Sequence, residues 1–158
     1  MRSGNRSGMF FSLPATFCRF PLCHLLPTGK LRLNVMPLVK IDFGLIEEVL
    51  HNLVLNTTQN VPVGTSIRLK FFYDNGSLTI QVMDRGKGFP ADELSSVFNK
   101  FYRGKDALTG GTGLGLSIVK GFVEAHKGTV IAENRQNGGA VFTIKIPVEI
   151  SDMKQYEQ

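Results

Sequence analysis

No acidic residue occurs in the first 34 positions of this 158-residue chain, although Arg2, Arg6, Arg19, Lys30 and Arg32 do. Over the rest, 13 acidic residues match the other 13 basic ones. The formal charge of +5 therefore belongs to the leading segment, and a nucleic-acid face on the body of the chain is not indicated. Long apolar runs are missing too: none approaches the roughly 18 residues of a membrane-crossing helix. Cysteine is limited to Cys18 and Cys23. Two such thiols without further metal-spaced partners make no zinc site. No internal repeat or low-complexity tract appears, and the length suits one core of ordinary size.

What the chain does have is glycine in telling places. Gly110-Gly111-Thr112-Gly113-Leu114-Gly115-Leu116-Ser117-Ile118 runs into a helical pattern in which Leu114, Ile118, Val119, Phe122 and His126 share helical spacing. Glycines let backbone N–H groups approach a ligand closely, and a helix start adds unpaired donors and a positive dipole end, a combination suited to phosphate. A plain turn before a helix would look similar on this segment alone.

Two upstream clusters add to it. The alternation of Leu78, Ile80 and Val82 reads as a strand that delivers Asp84 to its end, followed by Gly86 and Gly88. A carboxylate there can accept from an exocyclic amine such as adenine's, with the glycines leaving room for a flat ring. An ordinary Asp-Gly turn has the same composition. Earlier, Ile46, Val49, Leu50 and Leu53 mark the apolar face of an amphipathic helix with Asp42 as its N-cap. Asn52 and Asn56, four apart, stack beside that face. An amide oxygen is a hard ligand of the kind Mg²⁺ accepts alongside phosphates and water; a solvated flank is the plainer alternative.

Taken in order, the Asn-bearing helix, Asp84-Arg85-Gly86-Lys87-Gly88, Phe98-Asn99-Lys100-Phe101-Tyr102-Arg103 and Gly113-Leu114-Gly115-Leu116 closely resemble the ATP-binding domain of bacterial sensor histidine kinases. The wider family includes gyrase, Hsp90, MutL and the anti-sigma-factor kinases. The resemblance covers about Leu31 to Pro147. It implies ATP and Mg²⁺ as cofactors, with Asn56 as the metal ligand and Asn52 near the phosphates. It implies Asp84 as the reader of the adenine amine, with Gly86 and Gly88 shaping that pocket. Gly113, Leu114, Gly115 and Leu116 match the phosphate loop, and Phe89 to Thr112 matches a lid that brings Tyr102 and Arg103 to the nucleotide. Thr143 is matched to the family's hydroxyl near the adenine pocket. Asn52 separates branches: ATP hydrolases of the family resemble one another in carrying glutamate there as a base, which an amide is not. The resemblance therefore favours a protein-histidine kinase over a hydrolase, with Asn52 and Arg103 as its catalytic-site residues.

The implied partners are a histidine-bearing dimerisation domain of the same kinase and a downstream response regulator. The implied setting is the cytoplasmic part of a membrane-anchored sensor. None of His24, His51 and His126 has the context of a phospho-acceptor, and without a dimerising hairpin a monomer is expected. One departure is Gln59-Asn60, where the family commonly has Lys and Tyr touching the nucleotide; the segment resembles that of potassium-responsive sensor kinases. This departure supports an alternative, a non-catalytic nucleotide-binding or protein-interaction module.

The expected fold is α+β, a two-layer sandwich of the Bergerat type, with a mixed, mostly antiparallel sheet and helices on one face. Residues 1–29 are expected to be a flexible leader or cloning remnant, with a docked segment as runner-up; 30–148 the ATP-binding domain; 149–158 a frayed tail. Strands are predicted at Leu31-Leu33-Val35, Ile67–Tyr73, Leu78–Val82, Thr129–Glu133 and Val141–Ile146. Helices are predicted at Asp42–Thr58, Asp92–Phe98 and Leu114–His126, with a hairpin turn at Asp74-Asn75-Gly76.

Overall fold

The Asn-bearing helix sets the frame. In the computed structural model, which describes residues 7–14, 37–104 and 111–150, helix α1 runs Phe43–Gln59. Asp42 caps it, its side chain accepting from the Leu45 N–H at 3.1 Å, a bond worth about 1 kcal/mol to a helix. Ile46, Val49, Leu50 and Leu53 are buried as the stripe predicts, and the stripe continues one further turn to Thr57.

Strands β3 (Ser66–Asp74) and β4 (Ser77–Met83) form the predicted hairpin. Asp74 pairs with Ser77 across Asn75-Gly76, whose φ angles of 48° and 74° are those of a two-residue turn matched to strand twist. Strands β5 (Thr129–Asn134) and β6 (Ala140–Pro147) form the second hairpin, and β6 lies against β4. Strand β1, Ser7–Pro14, pairs with β3 from Ser7↔Tyr73 to Pro14↔Ser66, within the leader where no element was predicted. The sheet order is β1-β3-β4-β6-β5. A second small ladder joins β2 (Val39–Lys40) to β7 (Glu149–Ile150), inside the segment expected to fray. Every described pair is antiparallel, so the sheet is α+β as expected, without a parallel pair among the described strands. The expected Leu31-Leu33-Val35 strand, Cys18, Cys23, His24, Gly110 and most of the tail lie outside the described residues.

Helix α2, Gly115–Ala125, packs beside α1 on the same face of the sheet. Its buried stripe is Val119 and Val123, flanked by half-buried Leu116 and Phe122. That corrects the predicted face: Ile118 is 38% exposed, because one residue is about 100° of helix rotation away from Val119. A second correction concerns Asp92–Phe98, which is a chain of tight turns and not a helix. Successive i→i−3 bonds run from Glu93 N to Pro90 O, Ser96 N to Glu93 O, Asn99 N to Ser96 O and Tyr102 N to Asn99 O, at 2.8–3.2 Å. So short a segment has little helical stability of its own. Packing decides instead, burying Glu93 and Val97 and setting Phe98 edge-on to Phe142 at 6.4 Å. Between the helices and sheet, Leu53, Ile80, Val82, Val119, Phe142 and Ile144 are fully enclosed. Among the described residues no helix is long and apolar enough to cross a membrane.

Candidate functional site

A cavity of about 680 Å³ opens between the C-terminal half of α1, the end of β4, the turns after Phe89 and the start of α2. Its walls include Asn52, Asn56, Asp84, Gly88, Tyr102, Arg103, Gly113, Gly115 and Leu116. Nine of the twelve residues singled out from the sequence thus meet in one place.

Asp84 is only 5% exposed. Its Oδ1 accepts from the Gly86 N–H at 2.8 Å and the Ala140 N–H at 3.0 Å. The main chain is fixed as well: Asp84 N–H donates to Ala140 O at 3.0 Å, and an Arg135 guanidinium N–H donates to Asp84 O. Among the described residues Oδ2 has no hydrogen-bond partner. A carboxylate held by one oxygen presents the other as a fixed acceptor, at no conformational cost when a donor arrives.

Across the cavity, Leu114 at the start of α2 makes no side-chain cap. The first-turn N–H groups and the positive helix end are therefore left for an anion. Gly113 precedes them at φ 69°, and a Cβ there would sit 2.7 Å from the Tyr102 carbonyl oxygen. Only glycine lets the loop fold this tightly against the Phe101-Tyr102 backbone. Asn52 faces the helix start: its Nδ2 donates to Glu48 O at 2.8 Å, while Oδ1 would lie 3.1 Å from a Cβ on Gly115. Asn56 stands one turn on. The Asn60 amide donates to the Asn56 carbonyl at 2.7 Å and lies 3.5 Å from its Oδ1, a contact too long to occupy that oxygen. Lys87 and Arg103 are exposed cations on the rim.

Tyr102 donates its hydroxyl to buried Glu93. Burial first, then this bond and the negative charges of Glu93 and Asp92, pushes the phenol from 10.0 up to about 12. Phe89 is clamped from both sides by Asn134, whose Oδ1 accepts from the Phe89 N–H at 2.8 Å while Nδ2 donates to Phe89 O at 2.6 Å.

A family model described as histidine kinase-, DNA gyrase B-, and HSP90-like ATPase matches residues 42–150. The chain belongs to that family. It is an ATP-binding domain of the histidine-kinase type: it is 35% identical over 116 residues to the sensor protein KdpD of Clostridium acetobutylicum, covering 72% of this chain and 13% of that protein. Likewise it is 38% identical over 111 residues to the sensor histidine kinase YvrG of Bacillus subtilis, covering 66% of this chain and 19% of that one. Among solved structures it is similar to the mycobacterial sensor histidine kinase MprB, at TM-score 0.65 and 28% identity over 72% of this chain and 78% of that one. Another is full-length ShkA in complex with AMPPNP, at TM-score 0.64 and 26% identity, covering 73% of this chain and 24% of ShkA. The chain thus spans a small part of the full-length sensor proteins that it matches.

Within this histidine-kinase-type domain, three of the residues singled out from the sequence do not line the cavity. Gly86 and Leu114 adjoin it, beside Asp84 and at the start of α2. Thr143 is a correction. Buried Phe142 and Ile144 flank it on β6, so strand alternation turns Thr143 to the opposite face of the sheet, where its Oγ1 accepts from the Gln81 amide at 3.2 Å. Ala140 is the β6 residue in the wall. The sequence reasoning missed Thr57, Glu93, Asn134 and Arg135. Thr57 had a visible signal, since it falls on the apolar stripe of α1 as a lone polar residue; the others act through partners far away in the chain.

Proposed function

We propose that this domain binds Mg-ATP and supplies its γ-phosphoryl group to a histidine on a separate dimerisation domain of the same sensor kinase, which then passes it to a response regulator. The observation that carries the reading is Asp84, buried, held by one oxygen and open at the other, in one cavity with an uncapped helix start. Asp84 accepts from the adenine amine beside Gly88 in the cavity wall, while the absent side chains of Gly86 and Gly88 make way for Asn60 O and Asn134 Oδ1. Backbone N–H groups from Gly113 to Leu116 hold the phosphates, and Arg103 and Tyr102 border them from the expected lid.

The donor set suits a magnesium ion that comes with its nucleotide. Among the described residues no cluster of three or more His, Cys, Asp or Glu could cage a metal, whereas Asn56 Oδ1, which the Asn60 amide reaches only at 3.5 Å, would hold an ion otherwise bound by phosphate oxygens and water. When bound, the ion neutralises charge on the transferring phosphoryl group. Asn52 orients polar contacts near the phosphates but takes no proton, so water is not activated here and the acid–base group comes from beside the acceptor histidine. The domain belongs on the cytoplasmic side of a membrane-anchored sensor, where ATP is found.

A second reading, a non-catalytic nucleotide-binding or interaction module, is favoured by Gln59 and Asn60, which put no cation at the end of α1. Calorimetric titration with a non-hydrolysable ATP analogue and Mg²⁺ separates the two. Saturable binding that Asp84→Asn removes supports the kinase reading. A folded protein that takes up no nucleotide hands the chain to the module.

A further inference from the structure

Thr57 is buried to 1% exposure, yet its Oγ1 is the single buried side-chain polar atom among the described residues without a hydrogen-bond partner. Its neighbour shows what a helical threonine ordinarily does: Thr58 Oγ1 donates to the Leu55 carbonyl at 2.8 Å. Thr57 makes no such bond back to its own helix, so its hydroxyl is desolvated without compensation, a cost that a purely structural position avoids with Ala or Val. The residue lies in the wall of the nucleotide cavity together with Asp84. The two walls nearly touch there. A Cβ on Gly86 would stand 2.7 Å from Asn60 O, three residues along α1 from Thr57, and 3.2 Å from Asp84 Oδ1.

Asp84 can only accept, whereas a threonine hydroxyl can donate. An acceptor beside a donor matches the edge of an aminopurine, where an amine N–H lies next to a ring nitrogen with a lone pair. We propose that Thr57 is a specificity-determining residue: its hydroxyl donates, directly or across one bridging water, to a ring nitrogen flanking the amine that Asp84 reads. This rests on the ATP reading of the cavity. It also accounts for the orphaned hydroxyl, which finds its partner only when a base is present, and it moves the hydroxyl expected at Thr143 onto α1. The flanking nitrogen is N1 or N7, and removing each in turn tells them apart.

The test titrates the full 158-residue chain and its Thr57→Val, Thr57→Ala and Thr57→Ser variants with ATP, 1-deaza-ATP and 7-deaza-ATP in Mg²⁺, with melting curves of the free proteins. Loss of one neutral hydrogen bond is expected to weaken ATP binding roughly fivefold in Thr57→Val, while Thr57→Ser keeps it. One deaza analogue should bind wild type more weakly by a similar factor, and Thr57→Val should no longer distinguish that analogue from ATP. Free Thr57→Val should melt at a higher temperature than wild type, since an unpaired buried hydroxyl becomes a methyl group of the same shape. A structural role would instead lower the melting point and leave the analogue preference intact. If Thr57→Val does not fold, Thr57→Ala removes the same hydroxyl without added bulk. Unchanged ATP affinity and analogue preference in a folded variant overturns the assignment alone; absence of ATP binding by folded wild type overturns the ATP reading and this one with it.

Discussion

Replacing Asp84 by asparagine separates recognition from folding. In the protein Asp84 Oδ1 satisfies two backbone donors, Gly86 N–H and Ala140 N–H. An asparagine can put its carbonyl oxygen in the same place and keep both, so Asp84→Asn should melt close to wild type. Its NH₂ then stands where Oδ2 was, a donor aimed at the amine's donors. Losing a hydrogen bond to a charged acceptor costs about 1.5–3 kcal/mol, which weakens ATP binding roughly ten- to hundredfold. Asp84→Ala behaves differently. It strands both N–H groups, the one on Ala140 almost fully buried, at about 1–3 kcal/mol each, so melting should fall on the order of 10 °C. Calorimetry with ATP and Mg²⁺ gives the affinities and a thermal scan gives the stabilities. If Asp84→Asn binds ATP within about twofold of wild type, Asp84 does not read the amine, whatever happens to the melting point.

Asn56→Ala should abolish the difference in nucleotide affinity between Mg²⁺ and EDTA solutions, because it removes the amide oxygen proposed to hold the metal; a difference that survives would place the ion elsewhere. The chain alone should turn ATP over slowly in a phosphate-release assay, since Asn52 is no base, and rapid hydrolysis would refute that reasoning. Tyr102 should hold its proton late: its phenol is pushed up to about 12, so the stabilisation it contributes is fully present below pH 10 and is lost as pH rises through about 12. In absorbance titrations at alkaline pH, the phenolate signal missing from Tyr102→Phe should appear near that value, and an ordinary midpoint for it would show that the Glu93 contact is absent in solution.

The parts of the fold legible in the sequence are those with a period. Ile46 to Leu53 repeats at helical spacing, Leu78 to Val82 alternates, and Asn75-Gly76 marks its turn by chemistry alone. The same rule, carried through, would have prevented the Thr143 error, because Phe142 and Ile144 claim the inward face of β6. Asp92–Phe98 had to fail, since its geometry is dictated by where Val97 and Phe98 find the core and not by local pattern. β1 was illegible because Phe10 blurs the Met9, Phe11, Leu13 alternation and the partner strand, β3, lies far along the chain with no hairpin turn to announce the pair. Likewise Asn134 clamps Phe89 across 45 residues, and no spacing rule reaches that far.

On the proposed ATP reading, the departure at Gln59-Asn60 would change how the cavity handles phosphate charge more than whether it can. Asn60 ends α1, its N–H donating to Thr57 O at 3.0 Å and its amide to Asn56 O at 2.7 Å. It thus satisfies helix-end carbonyls while leaving the last turn without a basic residue. Among the described residues that line the cavity, the basic side chains are Lys87 and Arg103, both exposed. Exposed cations at a rim act through solvent and are weakened by salt. On the proposed reading phosphate binding would depend on the segment that carries Arg103, which is tethered by Glu93 to Tyr102 and by Asn134 to Phe89. A rigid helix that offered the cation would bind nucleotide independently of the turns after Phe89. On the proposed reading, the adenine end would meet the fixed Asp84 acceptor while the phosphate end would meet the segment that carries Arg103, which would couple affinity to the position of that segment.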